Sequence, residues 1–322
     1  MLLKSADDKS KRLALLEDLQ RSPLLDFSQK KWLREELIST RKGIQGERDS
    51  AHYLDSYFKD SENIVVMHDL RLVVDGDVAQ IDHLLINRAL GMYLIETKNY
   101  AGNLVINAHG EYTVEYDDVR FGIPSPMEQS LRHGRTLAKM LERLEIVGRT
   151  QKQSDFHHVV MLHPKATIQR PPPKTYDTSN VIKADQFPSW HEKFVASHGF
   201  GSIVKVALNL RSVETVKDCA EKLLRQHRPA NLLALPDFMR PREIPATQAP
   251  VRTPPLAPVA PIRPQVQETA KQAPGADPVA PTRRLICAQC NVKISFAEGK
   301  FCWNNDKRFG GLQYCREHQL TL

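Results

Sequence analysis

The runs Gln80-Ile81-Asp82-His83-Leu84-Leu85-Ile86 and Met92-Tyr93-Leu94-Ile95-Glu96-Thr97-Lys98 place two acids and a lysine in neighbouring apolar stretches. Residues two apart in a strand share a face, so Glu96 and Lys98 point the same way. If residues 87–91 close a symmetric hairpin, Ile86 pairs with Met92 and Asp82 falls opposite Glu96, with Cβ atoms roughly 4.5–5.5 Å apart. Two carboxylates so close repel unless a cation neutralises them, and hard oxygen ligands suit Mg²⁺ or Mn²⁺. Such an ion polarises a phosphate and acidifies a bound water, while an adjacent ammonium orients that water or steadies developing charge. That is the chemistry of phosphodiester hydrolysis. The plainer alternative is an ion-pair ladder on an exposed sheet face, since these residue types are common and the spacing is short.

Glu47 adds a further acid. In a helix from about 43 to 58, Glu47, Ala51, Leu54 and Phe58 follow i, i+4, i+7, i+11 spacing, so the glutamate lies on the apolar, inward face. Either it serves the site or it is an N-terminal acid favoured by the helix dipole. A second chemical cluster lies at the other end of the chain. Cys287-x2-Cys290 and Cys315-x2-His318 supply the four ligands that tetrahedral zinc prefers, in a segment too short to build a core alone. Cys302 is surplus: beside Phe301, Trp303 and Tyr314 it suits a small aromatic core, although replacement of one ligand is the other reading.

The elements that must position these groups follow from pattern. Residues 2–58 read as mostly helical, with a break near Ser22-Pro23 and no legible motif before Arg41. Short β-rich runs at 64–67, 70–74, 78–86 and 92–98 flank the turn Asp75-Gly76-Asp77. Ser125 caps a helix with Pro126 at its first position and Glu128 completing a capping box, running to about Leu144. Strands at 157–163 and 181–182 and a helix from about Val213 to Gln226 complete an α/β domain. Gln129 and His133 lie one turn apart on the capped helix and can both reach the acids; Arg132, Arg135, Lys139 and Arg143 either contact phosphates or form a solvated face. The sequence thus divides into a helical leader (1–39), a catalytic-type domain (40–235), a proline-rich linker (236–283) and a zinc finger (284–322), the linker being a composition that buries no core.

The net charge of +7 favours a polyanionic partner, and Lys293, Lys300, Lys307 and Arg308 make the finger basic. No run reaches the roughly 18–20 apolar residues of a membrane span. The charged start of the chain and the clustering of four of five cysteines between 287 and 315 point to a cytoplasmic, reducing setting. Gly43-x2-Gly46 lacks the Gly-Lys-Ser/Thr ending of a nucleotide-hydrolysing P-loop.

Taken together, Gly43-Ile44-Gln45-Gly46-Glu47, residues 80–86, residues 91–99 with Gly102, and Pro124-Ser125-Pro126 leading to Gln129 resemble the nuclease-related domain family, NERD, over about residues 40–145. The resemblance implies the restriction-endonuclease-like PD-(D/E)xK fold, a mixed sheet flanked by helices. In it Asp82, Glu96 and the helix-borne Glu47 would bind Mg²⁺ or Mn²⁺ and Lys98 would assist hydrolysis, while Gln129 matches the family's glutamine after the proline segment. Ile81 stands where many relatives in the wider superfamily have proline. The C-terminal segment resembles small treble-clef-like or ribbon-like zinc fingers appended to bacterial NERD proteins. The expectation is a metal-dependent enzyme that cleaves DNA, with a structural Zn²⁺ finger that tethers DNA or a protein partner. The alternative is a non-catalytic binding module on the same fold.

Overall fold

The computed structural model describes residues 1–240 and 285–321, apart from 101, 117–118, 149–153, 198, 291 and 310–311. The chain divides into two units, Met1–Pro241 and Arg242–Leu322.

Three apolar runs of the first unit build the centre of a six-stranded mixed sheet. Strand β1 (Leu2–Lys4) lies parallel to β2 (Ile64–Val74), which continues through β3 (Asp77–Asn87) and β4 (Met92–Lys98) as an antiparallel meander. Asp75 and Gly76 both adopt positive φ, the conformation that a two-residue hairpin turn requires. A second, four-stranded sheet contains β5 (Asn103–Ile106), β6 (Tyr112–Tyr116), β7 (Val119–Ile123) and β9 (Thr167–Gln169), in the order β7-β6-β5-β9. The first sheet is completed by β8 (Phe156–Leu162), parallel to β4, and β10 (Val181–Lys183), parallel to β8.

Helices cover both faces of the larger sheet. Helices α1 (Ser10–Gln20) and α2 (Phe27–Phe58) precede β2; α3 (Pro126–Arg143) starts at Ser125, whose Oγ accepts from Glu128 N at 3.2 Å; α4 (Phe187–Ala196), α5 (Phe200–Asn209) and α6 (Val213–Leu224) follow β10. On one face Leu137, Met140 and Leu141 of α3 and Val216, Ala220 and Leu223 of α6 bury Leu84, Ile86, Met92 and Leu94. On the other, Leu54 and Phe58 of α2 and Phe187 of α4 bury Leu85, Tyr93 and Ile95. The sheet is therefore apolar on both faces along β3 and β4, and polar groups collect where its helical cover stops, beyond Ile95.

The expected mixed sheet flanked by helices is present, with three differences. Leu2–Lys4, read as helical, is a strand: three residues carry no periodicity, and the edge of β2 supplies the hydrogen bonds. Helix α2 starts at Phe27, where Asp26 provides a complete capping box with Gln29, and runs unbroken across residues 39 and 40. Residues 236–240, expected as the start of the linker, pack onto the helices: Met239 is buried with Leu16, Leu33 and Leu37, and Gln29 Nε2 donates to the carbonyls of Phe238 and Arg240. The rest of the expected linker, residues 241–283, lies outside the described residues. Among the described residues no helix is long and apolar enough to cross a membrane.

In the second unit α7 (Phe296–Asn304), α8 (Asp306–Phe309) and α9 (Arg316–Thr321) follow a single bridge between Ile286 and Lys293.

Candidate functional site

The pairing of β3 with β4 follows the expected register, Ile86 opposite Met92 and His83 opposite Ile95, and then stops. One step further Asp82 forms no ladder pair with Glu96; its Oδ2 accepts from the Thr97 amide at 2.8 Å. The cause lies in β2. Asp69 turns back with φ of 53°, and the ladder between β2 and β3 skips from His68–His83 to Leu70–Ile81. Before this level Val65 and Met67 face the α3 side; after it Leu70 and Leu72 do, and Ile81 on β3 joins them. The alternation of faces inverts on both strands together, which preserves register and lifts Asp69 and Asp82 out of the regular pleat.

The resulting cleft, of about 460 Å³, is lined by Glu47, Asp82, Glu96, Lys98, Gln129 and His133, among others. All five residues singled out from the sequence as catalytic are in that set. Lys98 Nζ donates to Glu96 Oε1 at 2.6 Å and to Gln129 Oε1 at 3.1 Å, as the shared face of β4 and the first turn of α3 require. Glu47 reaches the cleft because Gly46 lets α2 approach the end of β4; a Cβ there would meet Asn99 Cβ at 2.6 Å. His133, one turn beyond Gln129, places Nδ1 at 3.6 Å from Glu96 Oε2. Arg132 and Arg135 are exposed, whereas Lys139 and Arg143 are engaged by Asp77 and Asp75 of the hairpin turn.

Electrostatics in the cleft oppose three free carboxylates. Removal from water, then Glu96 and Glu47, push the Asp82 carboxyl well above the ordinary range despite the Thr97 amide and Lys98. Burial also raises Glu96, against the pull of Lys98 and with a further push from Glu47. Burial and the charges of Arg132 and Lys98 lower His133 to about 4, so its contact with Glu96 is that of a neutral ring at neutral pH. These acids line one cleft but do not close on one point: among the described residues, only the C-terminal cysteines and histidine bring three or more ligand atoms within 4.8 Å of one another.

Two features had no signal in the sequence. Lys9, just before α1, places Nζ at 2.7 Å from Glu47 Oε2 and 3.4 Å from Asp69 Oδ2. Behind the cleft, a buried polar chain joins Asp55, His68, His83 and Thr97: His68 Nε2 is 3.0 Å from Asp55 Oδ1, the two Nδ1 atoms are 2.7 Å apart, and His83 Nε2 is 3.0 Å from Thr97 Oγ1. Burial, with His68 and Lys9, pushes His83 far below its ordinary value. The chain runs from the Thr97 hydroxyl through His83 and His68 to the Asp55 carboxylate, which accepts at its end. That chain fixes the residue whose amide holds Asp82. Its members lie 13 to 42 positions apart in pairs of unremarkable context, so only the folded sheet assembles them.

In the second unit Cys287, Cys290, Cys315 and His318 come together. Cys290 Sγ and Cys315 Sγ are 3.8 Å apart, and sulfurs on a tetrahedral zinc with bonds of about 2.3 Å stand roughly that far apart. Cys315 Sγ and His318 Nδ1 are 3.1 Å apart. Burial opposes ionisation of Cys287, but hydrogen bonds from the backbone of Cys315, Cys290 and Gln289 overcome it and lower the thiol to about 6. Cys302 stands apart from the quartet: it is buried and its sulfur meets Tyr314 N at 3.3 Å and Gln319 Nε2 at 3.3 Å. The donor set suits zinc, and Cys302 packs as a core residue.

A mixed sheet with helices on both faces, carrying acids, a lysine and a glutamine where its ladder opens, defines an α/β domain. Residues 42–163 match the model of the nuclease-related domain, NERD, so this part of the chain is a NERD domain. No curated protein and no solved structure matches the chain.

Proposed function

We propose that the NERD domain is a metal-dependent nuclease acting on DNA. The observation that carries this reading is that Asp82, Glu96 and Lys98 line one cleft where the β3–β4 ladder opens. Carboxylates that burial and mutual repulsion have raised are ones that a cation would return to the ionised form, so the donor set fits Mg²⁺ or Mn²⁺. Asp82 and Glu96 would hold the ion, with Glu47 the third acid of the cleft. A bound ion supplies Lewis acidity and a more acidic water. The Thr97 amide fixes Asp82, and Gln129 steers the Lys98 ammonium, which is placed to orient water or to stabilise charge on a phosphate. The Cys287, Cys290, Cys315 and His318 quartet would hold a structural Zn²⁺ with no open position, leaving the finger to bind DNA or a protein partner.

One observation favours a second reading, a module that binds nucleic acid without cutting it: Glu47 and Glu96 already hold lysine ammoniums. Incubation of single- and double-stranded DNA and RNA with the protein and Mg²⁺ or Mn²⁺, beside Asp82→Ala, separates the two. Ion-dependent cleavage lost in the variant supports the enzyme; binding by both proteins with cleavage by neither supports the module.

A further inference from the structure

The cleft has a back wall that the catalytic reading leaves unused. There the Lys9 ammonium lies between Glu47 and Asp69, and the three side chains are 17%, 23% and 5% exposed, so this is not a solvent-screened surface pair. The segment that delivers Lys9 is anchored on both sides. Lys4 Nζ donates to Asp7 Oδ1 at 2.8 Å and to the His68 carbonyl at 2.9 Å, and His227 Nε2 lies 2.9 Å from Asp7 Oδ2. Asp69, in turn, is held by Gln80 Nε2 at 3.0 Å.

Charge can be summed over the groups that line the cleft and those that reach it through Glu47. Glu47, Asp82, Glu96 and Lys98 line the cleft, and Lys9 with Asp69 joins them through Glu47; Lys42 and Arg132 are exposed and screened by water. Two negative charges remain, which one divalent cation cancels. A second divalent ion would leave the cleft positive and would have to displace Lys9 from Glu47. We propose that Lys9 fills, as an ammonium, the second cation position of the cleft, so that the cleft takes a single divalent ion, at Asp82 and Glu96. Glu47 thereby serves a cation that the chain itself provides. Lys9 is a positioning residue: it fixes Glu47 and Asp69 and sets how many metal ions enter.

This stoichiometry rests on the metal-binding reading of the cleft, and a count of bound ions tells the two apart. The full-length, zinc-loaded chain is titrated with Mn²⁺ without nucleic acid, and free Mn²⁺ is read by electron paramagnetic resonance. One ion per wild-type chain is expected, lost in Asp82→Asn. Lys9→Met, which keeps the length of the stem, is expected to take a second, weaker ion on the freed Glu47 and Asp69, and Lys9→Arg to return the count to one. Two ions on the wild type, or one on a folded Lys9→Met, overturn the proposal while leaving metal binding standing. No ion on the wild type overturns both. The wild-type count can decide against the proposal whatever Lys9→Met does to folding.

Discussion

Gathering three acids in one cleft has an electrostatic cost at Asp82. Sheltered from water and facing Glu96 and Glu47, its carboxyl is raised, so the folded chain disfavours the charge that the unfolded chain carries freely. The sign follows: at a pH below the ordinary value of 3.8 there is no penalty, and it grows as pH rises through the folded value. Asp82→Asn keeps an oxygen for the Thr97 amide and removes the charge. In magnesium-free buffer at pH 8 the variant should therefore melt above the wild type, with the gap closing toward pH 4; about 1 kcal/mol corresponds to a Tm rise of ~2–4 °C at this size. A variant that melts below the wild type at pH 8 would contradict the repulsion. Lys98 plays the opposite part. It pairs with Glu96 and Gln129 but is no metal ligand, so Lys98→Met should retain Mn²⁺ binding while cleavage falls roughly 10²–10³-fold. Single-turnover rates beside a binding titration check this, and equal loss of both would reassign Lys98 to holding the acids in place.

Whether those side chains meet depends on two elements, the opened ladder of β2 and β3 and the close approach of α2. Glycines on α2 test the approach with opposite signs. A Cβ at Gly43 meets nothing within 4 Å, so Gly43→Ala should stabilise by roughly 0.5–1 kcal/mol through helix propensity. At Gly46 the new Cβ would sit 2.6 Å from Asn99 Cβ, so Gly46→Ala should destabilise by about 1–3 kcal/mol and shift Glu47. Urea unfolding measures both, and like signs would mean that α2 does not pack as described. The element scale also shows what the sequence makes legible. Strand β4, the register of its hairpin and the start of α3 at Ser125 follow from strong local signals: a β-rich apolar run, a five-residue loop, a capping serine before proline. The faces of Glu47 and Gln129 were readable for the same reason. By contrast β1, β9 and the short strands β5 to β7 are too brief for periodicity, and their partners are distant. The inversion at Asp69 and Asp82 leaves the register sum unchanged, so nothing in the spacing marks it. Lys9 reaches Glu47 from 38 positions away, a contact that no local pattern encodes.

For the whole molecule the proposed function assigns chemistry to the unit Met1–Pro241 and tethering to the unit Arg242–Leu322. A chain truncated after residue 240 should keep its cleavage rate on saturating DNA, bind it more weakly and show a flatter salt dependence, because fewer phosphate contacts release fewer counterions. Titration across salt concentrations measures this; unchanged affinity and slope would direct the finger toward a protein partner. Zinc content is expected to be one ion per chain, lost in Cys315→Ser and kept in Cys302→Ser, since Cys302 stands outside the quartet. Loss of zinc in both would place Cys302 among the ligands. The most direct test of the whole reading is ion-dependent strand cleavage by the full chain, under single turnover, on labelled DNA with Mg²⁺ or Mn²⁺. The expected result is cleavage by the wild type that falls at least about 100-fold in each of Asp82→Asn, Glu96→Gln and Lys98→Met while all three still bind DNA. No cleavage by the wild type with either ion, or cleavage that all three variants retain, would contradict it.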